Sequence, residues 1–71
     1  MTLLEGLKNE KYEVVDSDLE IKIMRHLEAM GLTGGTHITI LNKKRSGAII
    51  FMVRGTRLAV GKDIAKKINI L

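Results

Sequence analysis

The 71-residue chain contains no cysteine, no proline and no tryptophan. Without cysteine there can be no disulfide, no thiolate metal site and no cysteine nucleophile, and the composition fits a reducing compartment. One tyrosine and one phenylalanine are too few aromatic rings for a base-stacking platform or for an aromatic groove that binds proline-rich peptides. The function should therefore depend on none of these features.

The chain also lacks long apolar runs. No segment approaches the roughly 18 apolar residues of a membrane-spanning helix. The first residues lack a basic leader followed by a long apolar stretch. We therefore expect a soluble protein without a targeting segment.

The residues that are present favour one small folded unit. Hydrophobic residues make up 45% of the chain and charged residues 28%, which argues against disorder, and no linker or repeat divides residues 1–71. The formal net charge is +4, so acidic partners are favoured, whether nucleic acid or an anionic protein surface.

Alternation of apolar residues between glycine-containing turns predicts a mostly β domain. The expected strands cover residues 11–16, 36–41, 48–53, 57–60 and 68–71, with the fourth entered through a turn at Gly55-Thr56. The third strand is apolar on both faces, as expected of a strand covered on both sides. A helical turn is expected at residues 62–67. We predict a small barrel of about five strands with one inserted helix, because closing the sheet would remove exposed edges.

The inserted helix is expected over residues 18–30. Ser17 and Glu20 have the spacing of a capping box, and Gly31 is a candidate left-handed cap at the other end. Helical spacing also predicts one apolar stripe that faces the core. The members of this stripe are Leu19, Ile23, Leu27 and Met30.

Two glycine-containing segments resemble phosphate loops but have the wrong setting. Residues 31–36 follow a helix, whereas a phosphate loop precedes one. The stretch around Gly61-Lys62 has the wrong glycine spacing and has Asp63 where magnesium binding requires serine or threonine. No catalytic combination of serine, histidine and carboxylate stands out, so we expect no enzyme activity and no cofactor.

Metal-ligand spacing is also missing. His26 and His37 lie on different predicted elements. The carboxylates Asp16, Asp18 and Glu20 could hold a hard cation, but two of them fit the electrostatics of a helix start without any ion. We therefore predict no metal site.

Two surface features remain as candidate binding sites. On the predicted helix, Ile21 and Met24 lie on the flank away from the core stripe, with Arg25 and Glu28 as a polar rim. This flank is covered by a loop or the barrel rim, or consists of ordinary scattered surface apolar residues, or docks a partner. Basic residues form the other feature, either solvated or facing an acidic partner. They are residues 43–45, Arg54, Arg57, Lys62, Lys66 and Lys67.

Two segments resemble the FeoA family. Residues 27–36, LEAMGLTGGT, are similar to its Leu-x-x-Met-Gly-Leu-x-x-Gly segment. Residues 47–60, GAIIFMVRGTRLAV, are similar to its hairpin, which ends in Arg-Gly-x-x-Leu-Ala, and residues 64–68 look like its closing turn. The resemblance covers nearly the whole chain.

The resemblance implies a cytoplasmic SH3-like small barrel that assists ferrous iron uptake by FeoB, a membrane protein with a GTP-hydrolysing cytosolic domain. It also implies that the domain meets the membrane only indirectly, through this transporter. We therefore expect a non-enzymatic adaptor that binds this cytosolic domain. Its expected contact residues are Ile21, Met24, Arg25, Arg54 and Arg57. The alternatives are a small-barrel nucleic-acid-binding protein and a metal-responsive domain like the C-terminal domain of iron-dependent repressors. The missing aromatic residues disfavour nucleic acid.

Overall fold

The computed structural model describes residues 1–71 and contains one antiparallel five-stranded sheet. A 3₁₀ turn at Leu3–Glu5 precedes the first strand. The elements that follow are β1 (Lys11–Ser17), α1 (Ile21–Ala29), β2 (His37–Lys43), β3 (Ile49–Val53), β4 (Thr56–Val60), α2 (Lys62–Ala65) and β5 (Ile68–Ile70). The sheet order is β4-β3-β2-β1-β5. The predicted mostly β architecture with one inserted helix is confirmed, but the sheet does not close by hydrogen bonding, because β4 and β5 are not paired with each other.

Two irregularities interrupt the pairing. The β2–β3 register shifts between Ile40 and Asn42, and the β1–β5 register shifts between Val14 and Asp16. An extra residue on one strand bends that strand and increases its twist. These bulges help the sheet to curve around a single core.

The core is a continuous cluster of 14 buried apolar residues. Strand β3 contributes Ile49, Phe51 and Val53, which are completely buried. The opposite face of β3 carries Ile50 and Met52, which are only half-buried. The expectation that both faces of this strand are covered is therefore wrong: the apolar run reflects one sealed face and one partly exposed face.

Helix α1 begins later than predicted, and the predicted capping box is wrong. Ser17 pairs with Ile68 in the sheet, and the backbone N–H of Asp18 donates to the carbonyl of Lys67 at 2.9 Å. The backbone of Ser17 and Asp18 is therefore used for strand pairing and is not part of the helix. Glu20 is the N-cap residue, without a side-chain capping hydrogen bond.

The carboxylates assigned to the start of the helix consequently have other positions. No acidic residue lies in the first turn of α1. Asp16 belongs to β1, where its carboxylate accepts a hydrogen bond from the side-chain amide of Asn69. Of the three carboxylates, only Glu20 adjoins the helix, as its N-cap residue, so the helix-start explanation does not hold for two of them.

The C-terminal end of α1 follows the sequence prediction. Gly31 has a φ of +102°. The N–H of Leu32 donates to the carbonyl of Leu27 at 2.9 Å, and the N–H of Gly31 donates to that of Glu28 at 3.0 Å. These are the two hydrogen bonds of a Schellman ending. Of the predicted stripe, Leu27 is buried and Ile23 packs against the core, whereas Leu19 lies before the helix and Met30 is 39% exposed.

The β3–β4 hairpin turns at Arg54-Gly55, one residue earlier than predicted. Val53 pairs with Thr56, so the connection has two residues, with φ values of +48° at Arg54 and +78° at Gly55. Two positive φ angles define a type I′ turn, whose twist matches that of the flanking strands. Nothing in the sequence indicates a turn residue at position 54, because arginine rarely adopts positive φ.

The N-terminal segment is part of the fold, which the sequence did not predict. Leu3 is completely buried. The N–H of Ile70 donates to the carbonyl of Met1 at 2.7 Å, and Thr2 forms an isolated bridge with Asn69. Residues 1–2 therefore cover the outer edge of β5, whereas β4 lies at the opposite end of the sheet.

Candidate protein-docking site

Helix α1 carries an apolar side chain on its outward face. Ile21 is 57% exposed. Arg25 and Glu28, one and two turns further along this face, are also exposed. The predicted flank with its polar rim is therefore open to solvent, and nothing in the chain covers Ile21.

Met24 occupies a different position from Ile21. It is half-buried and lines a cleft of about 180 Å³ between α1, the end of β1 and the loop after the helix. The apolar residues of this cleft are Val14, Val15, Leu19, Met24, Leu27, Leu32 and Ile68. The polar ones are Asp16, Ser17, Glu28 and Thr33, with Gly34 at the loop. Met24 is thus one wall of a shallow apolar cleft beside the exposed flank.

Val15 is a member of this cleft that the sequence analysis did not single out. It is 47% exposed, whereas its neighbour Val14 is buried. Val15 lies at the bulge between Val14 and Asp16, where the regular alternation of strand side chains is interrupted. What the sequence could not show is that α1 packs beside this outer position.

Two of the three arginines in the predicted site, Arg54 and Arg57, lie away from the helix flank and differ in their contacts. The Nε of Arg54 donates to the carbonyl oxygen of Gly31 at 3.3 Å, so its side chain lies at the C-terminal end of α1. Arg57 is an exposed residue of β4, opposite Met52. The structure brings Ile21, Met24 and Arg25 together on one helix but places Arg54 and Arg57 on the β3–β4 hairpin.

Most cations of the chain have no acidic partner. The ion pairs are Lys66 with Asp63 at 3.4 Å and the exposed, protonation-dependent pair of His37 with Glu13 at 3.8 Å. Residues 43–45 are exposed at the β2–β3 turn. The surplus positive charge is therefore spread over the surface rather than concentrated in one site.

No three His, Asp or Glu side chains form a group that could hold a metal ion. His26 is exposed on α1, and His37 is exposed on β2. Neither helix has the length or the apolar character to cross a membrane.

A second, larger groove lies on the other side of α1. Its volume is about 470 Å³. It is lined by Lys22, Ile23, His26, Leu27 and Met30 of the helix side and by Leu58, Ala59, Val60, Gly61 and Ile64 opposite. Sequence reasoning missed this groove because it depends on how far α1 stands from β4.

Comparisons with solved structures place this architecture among known domains. The FeoA protein from Chlorobium tepidum superposes with a TM-score of 0.92 at 25% identity, covering 99% of this chain and 68% of that one. An iron uptake regulatory protein (FeoA) gives 0.83 at 33% identity, covering 97% and 90%. A manganese-dependent transcriptional repressor gives 0.85 at 16% identity, covering 96% of this chain and 39% of the repressor, which shows the shared fold alone.

Sequence comparison adds the family itself. The family model described as the FeoA domain matches residues 1–71. A comparison with curated proteins gives no match. The fold is the SH3-like one expected from the resemblance, with five antiparallel strands and one helix. The chain therefore belongs to the FeoA domain family, which is linked to ferrous iron transport.

Proposed function

We propose that this domain is a non-enzymatic, cytoplasmic accessory of ferrous iron transport that binds the cytosolic part of a FeoB-type transporter. Membership of the FeoA family supports the link to iron transport. The name of the 33% identical relative, an iron uptake regulatory protein, supports a regulatory role. The domain would act by binding one state of its partner more tightly than another.

The observation that carries the proposal is the α1 docking surface, defined here as Ile21, Met24, Arg25 and Glu28 together with Val15. Its two most exposed apolar side chains, Ile21 and Val15, are 57% and 47% exposed, although the core itself is sealed. Met24 and Val15 line the same cleft, into which a partner could insert an apolar side chain. An apolar centre with a charged rim is the usual composition of a protein interface.

Binding rather than catalysis suits the chemistry of this surface. Its charged members, Arg25 and Glu28, are exposed and make no ion pair. Such rim charges set orientation and association rate more than affinity. The affinity would come from covering Ile21, Val15 and the exposed part of Met24, because burial of apolar area drives association.

The experiment is a calorimetric titration of the domain with the purified soluble domain of the transporter, with and without GTP. Wild-type protein should bind, with different affinities in the two nucleotide conditions. Ile21→Glu should weaken binding by tenfold or more, the effect of removing an interface hot spot. Its thermal midpoint should change little because Ile21 is exposed. Met24→Glu should also weaken binding, with some loss of stability because Met24 is half-buried.

Ala29→Glu is the matched control, since it adds the same charge at an exposed position of α1 outside the docking surface. It should bind as wild type does. If Ala29→Glu and Ile21→Glu have equal effects, the docking surface is assigned wrongly. If wild-type protein binds in neither nucleotide condition, the proposed transporter interaction is wrong.

A further inference from the structure

The two edge strands of the sheet differ in whether other backbone covers them. Residues 1–2 cover the outer edge of β5 through the hydrogen bond from Ile70 to Met1 and the bridge between Thr2 and Asn69. Strand β4 is the other edge of the sheet and pairs only with β3. An uncovered edge strand offers unpaired backbone groups to another extended chain.

The hairpin register identifies which groups are free. In a hairpin with a two-residue turn, the residues that flank the turn exchange backbone hydrogen bonds, and this pattern returns at every second pair. Thr56, Leu58 and Val60 are therefore bonded to β3. Arg57 and Ala59 point their N–H and C=O groups away from the sheet, and no other backbone or side-chain group bonds to them.

The free edge adjoins the groove of about 470 Å³ between β4 and α1. Leu58, Ala59 and Val60 all line this groove. Leu58 and Val60 are buried towards the core, whereas Arg57 and Ala59 are exposed. A strand added along β4 would alternate in the same way. Its side chains next to Leu58 and Val60 would enter the groove, and those next to Arg57 would remain in solvent.

Charge specifies the occupant further. The titratable residues that line the groove are Lys22 and His26, with no acid among the lining. Arg57 and Lys62 flank the lining segment in sequence and are exposed, and the nearby carboxylate of Asp63 is already paired with Lys66 at 3.4 Å. A rim with one sign of charge favours an acidic ligand and disfavours a second copy of this basic chain.

We propose that the β4 edge binds an extended peptide segment with alternating apolar and acidic residues, which adds a sixth strand to the sheet. The N–H and C=O groups of Arg57 and Ala59 supply the main-chain hydrogen bonds, and the groove beside α1 receives the apolar side chains. Main-chain pairing of this kind gives affinity, and the side-chain pockets give specificity. The surface is separate from the α1 docking surface, so the inference goes beyond the proposed transporter interaction.

The probe is the blocked peptide acetyl-(Glu-Val)₃-amide, titrated into ¹⁵N-labelled full-length protein. The amide signals of Arg57 and Ala59 should shift and exchange more slowly with solvent, while those of Ile21 and Met24 stay in place. The matching lysine–valine peptide should bind at least tenfold more weakly. Shifts confined to α1, equal binding of both peptides, or no shift at millimolar peptide would each overturn the proposal.

Ala59→Pro tests the hydrogen bonds directly, because proline removes an outward N–H that the β3 ladder does not use. This substitution should weaken binding of the glutamate–valine peptide by roughly tenfold. Ala59→Val, which keeps the N–H, should bind as wild type does. Equal affinity of the two variants would contradict strand addition.

Two measurements keep the test decisive. If Ala59→Pro does not fold, a peptide N-methylated on alternate residues removes donors from the ligand and leaves the protein unchanged. It too should bind roughly tenfold more weakly. Sedimentation of the free protein should show a monomer, and a dimer abolished by Ala59→Pro would instead assign the edge to a second copy of this chain.

Discussion

The Nε of Arg54 donates a hydrogen bond to the carbonyl oxygen of Gly31 across 3.3 Å. Both residues have positive φ, +48° at Arg54 in the hairpin turn and +102° at Gly31 after α1. The bond joins the β3–β4 hairpin to the C-terminal end of the helix, where a positive charge is favourable. Two residues with positive φ, from separate elements, therefore stabilise the junction between the hairpin and the helix.

This junction predicts a coupled pair of substitutions. Gly31→Ala should lower the free energy of unfolding by more than the backbone cost alone, which is about 1–2 kcal/mol for a left-handed L-residue. The added Cβ would also lie 3.1 Å from Cδ of Arg54. In an Arg54→Ala background the effect of Gly31→Ala should fall to the backbone cost. Urea unfolding of the four proteins measures the coupling, and additive effects would show that the contact is unimportant.

The buried N-terminal segment predicts a contrast between two leucines. Leu3 is completely buried, and Leu7 is 63% exposed. Leu3→Ala should cost about 2–5 kcal/mol of unfolding free energy, since it leaves a cavity in a small core. Leu7→Ala is the matched control and should change stability by less than about 0.5 kcal/mol. Thermal and urea unfolding would test this, and similar midpoints for the two variants would contradict the placement of Leu3.

Gly6 predicts a steric effect that a second substitution can relieve. A Cβ at this buried position would collide with Cδ1 of Ile40. Gly6→Ala should therefore destabilise the fold by roughly 1–3 kcal/mol, the usual cost of overpacking. Adding Ile40→Val, which removes that methyl group, should reduce the loss of stability caused by Gly6→Ala. Gly61→Ala has open space and should be nearly neutral, so a comparable loss there would argue against a steric cause.

The Glu5 carboxylate predicts a pH dependence. Its side chain accepts a hydrogen bond from the backbone N–H of Thr2 at 2.7 Å. Hydrogen bonds from Thr2 hold the pKa of Glu5 below its ordinary value of 4.5. Because the folded pKa is lowered, the stabilisation is present at neutral pH and is lost as the pH falls below 4.5 through the folded value.

A ¹³C NMR titration of the Glu5 carboxyl group should show this lowered midpoint. Glu5→Gln should be less stable than wild type near neutral pH, and the difference should shrink on acidification. A midpoint at or above the ordinary value would contradict the Thr2 hydrogen bonds.

Local signals predicted much of the fold, as the end of α1 illustrates. Gly31 and Leu32 specify a Schellman ending through conformational freedom and an apolar contact, both of which are visible in sequence. The alternating strands were predicted for the same reason: Ile38 and Ile40 are buried, as their spacing requires.

Contacts between residues far apart in sequence explain the predictions that were wrong or missing. Ser17 has the local signature of a cap, but its backbone bonds to β5, some fifty residues away in sequence. Arg54 adopts positive φ because the hairpin twist and the contact with Gly31 outweigh its own preference. Leu3 was overlooked because a short segment without periodicity gives no sign of being covered.

The candidate site was predicted only in part for a related reason. Helical spacing identified the exposed flank of Ile21 and Arg25, since neighbours on one helix are fixed by the helix itself. The cleft beside Met24 and the groove beside β4 depend on distances between elements. Such distances arise from packing of the whole core, which no short window of sequence contains.

The hydrogen bond between Met1 and Ile70 places the two ends of the described chain side by side. A unit whose ends meet can be spliced into a surface loop of a larger host through short spacers, because its entry and exit points almost coincide. The same proximity permits circular permutation, with new ends opened at the exposed turn around Arg45. The edge of the sheet that residues 1–2 cover is therefore also the place where this domain can be joined to other domains.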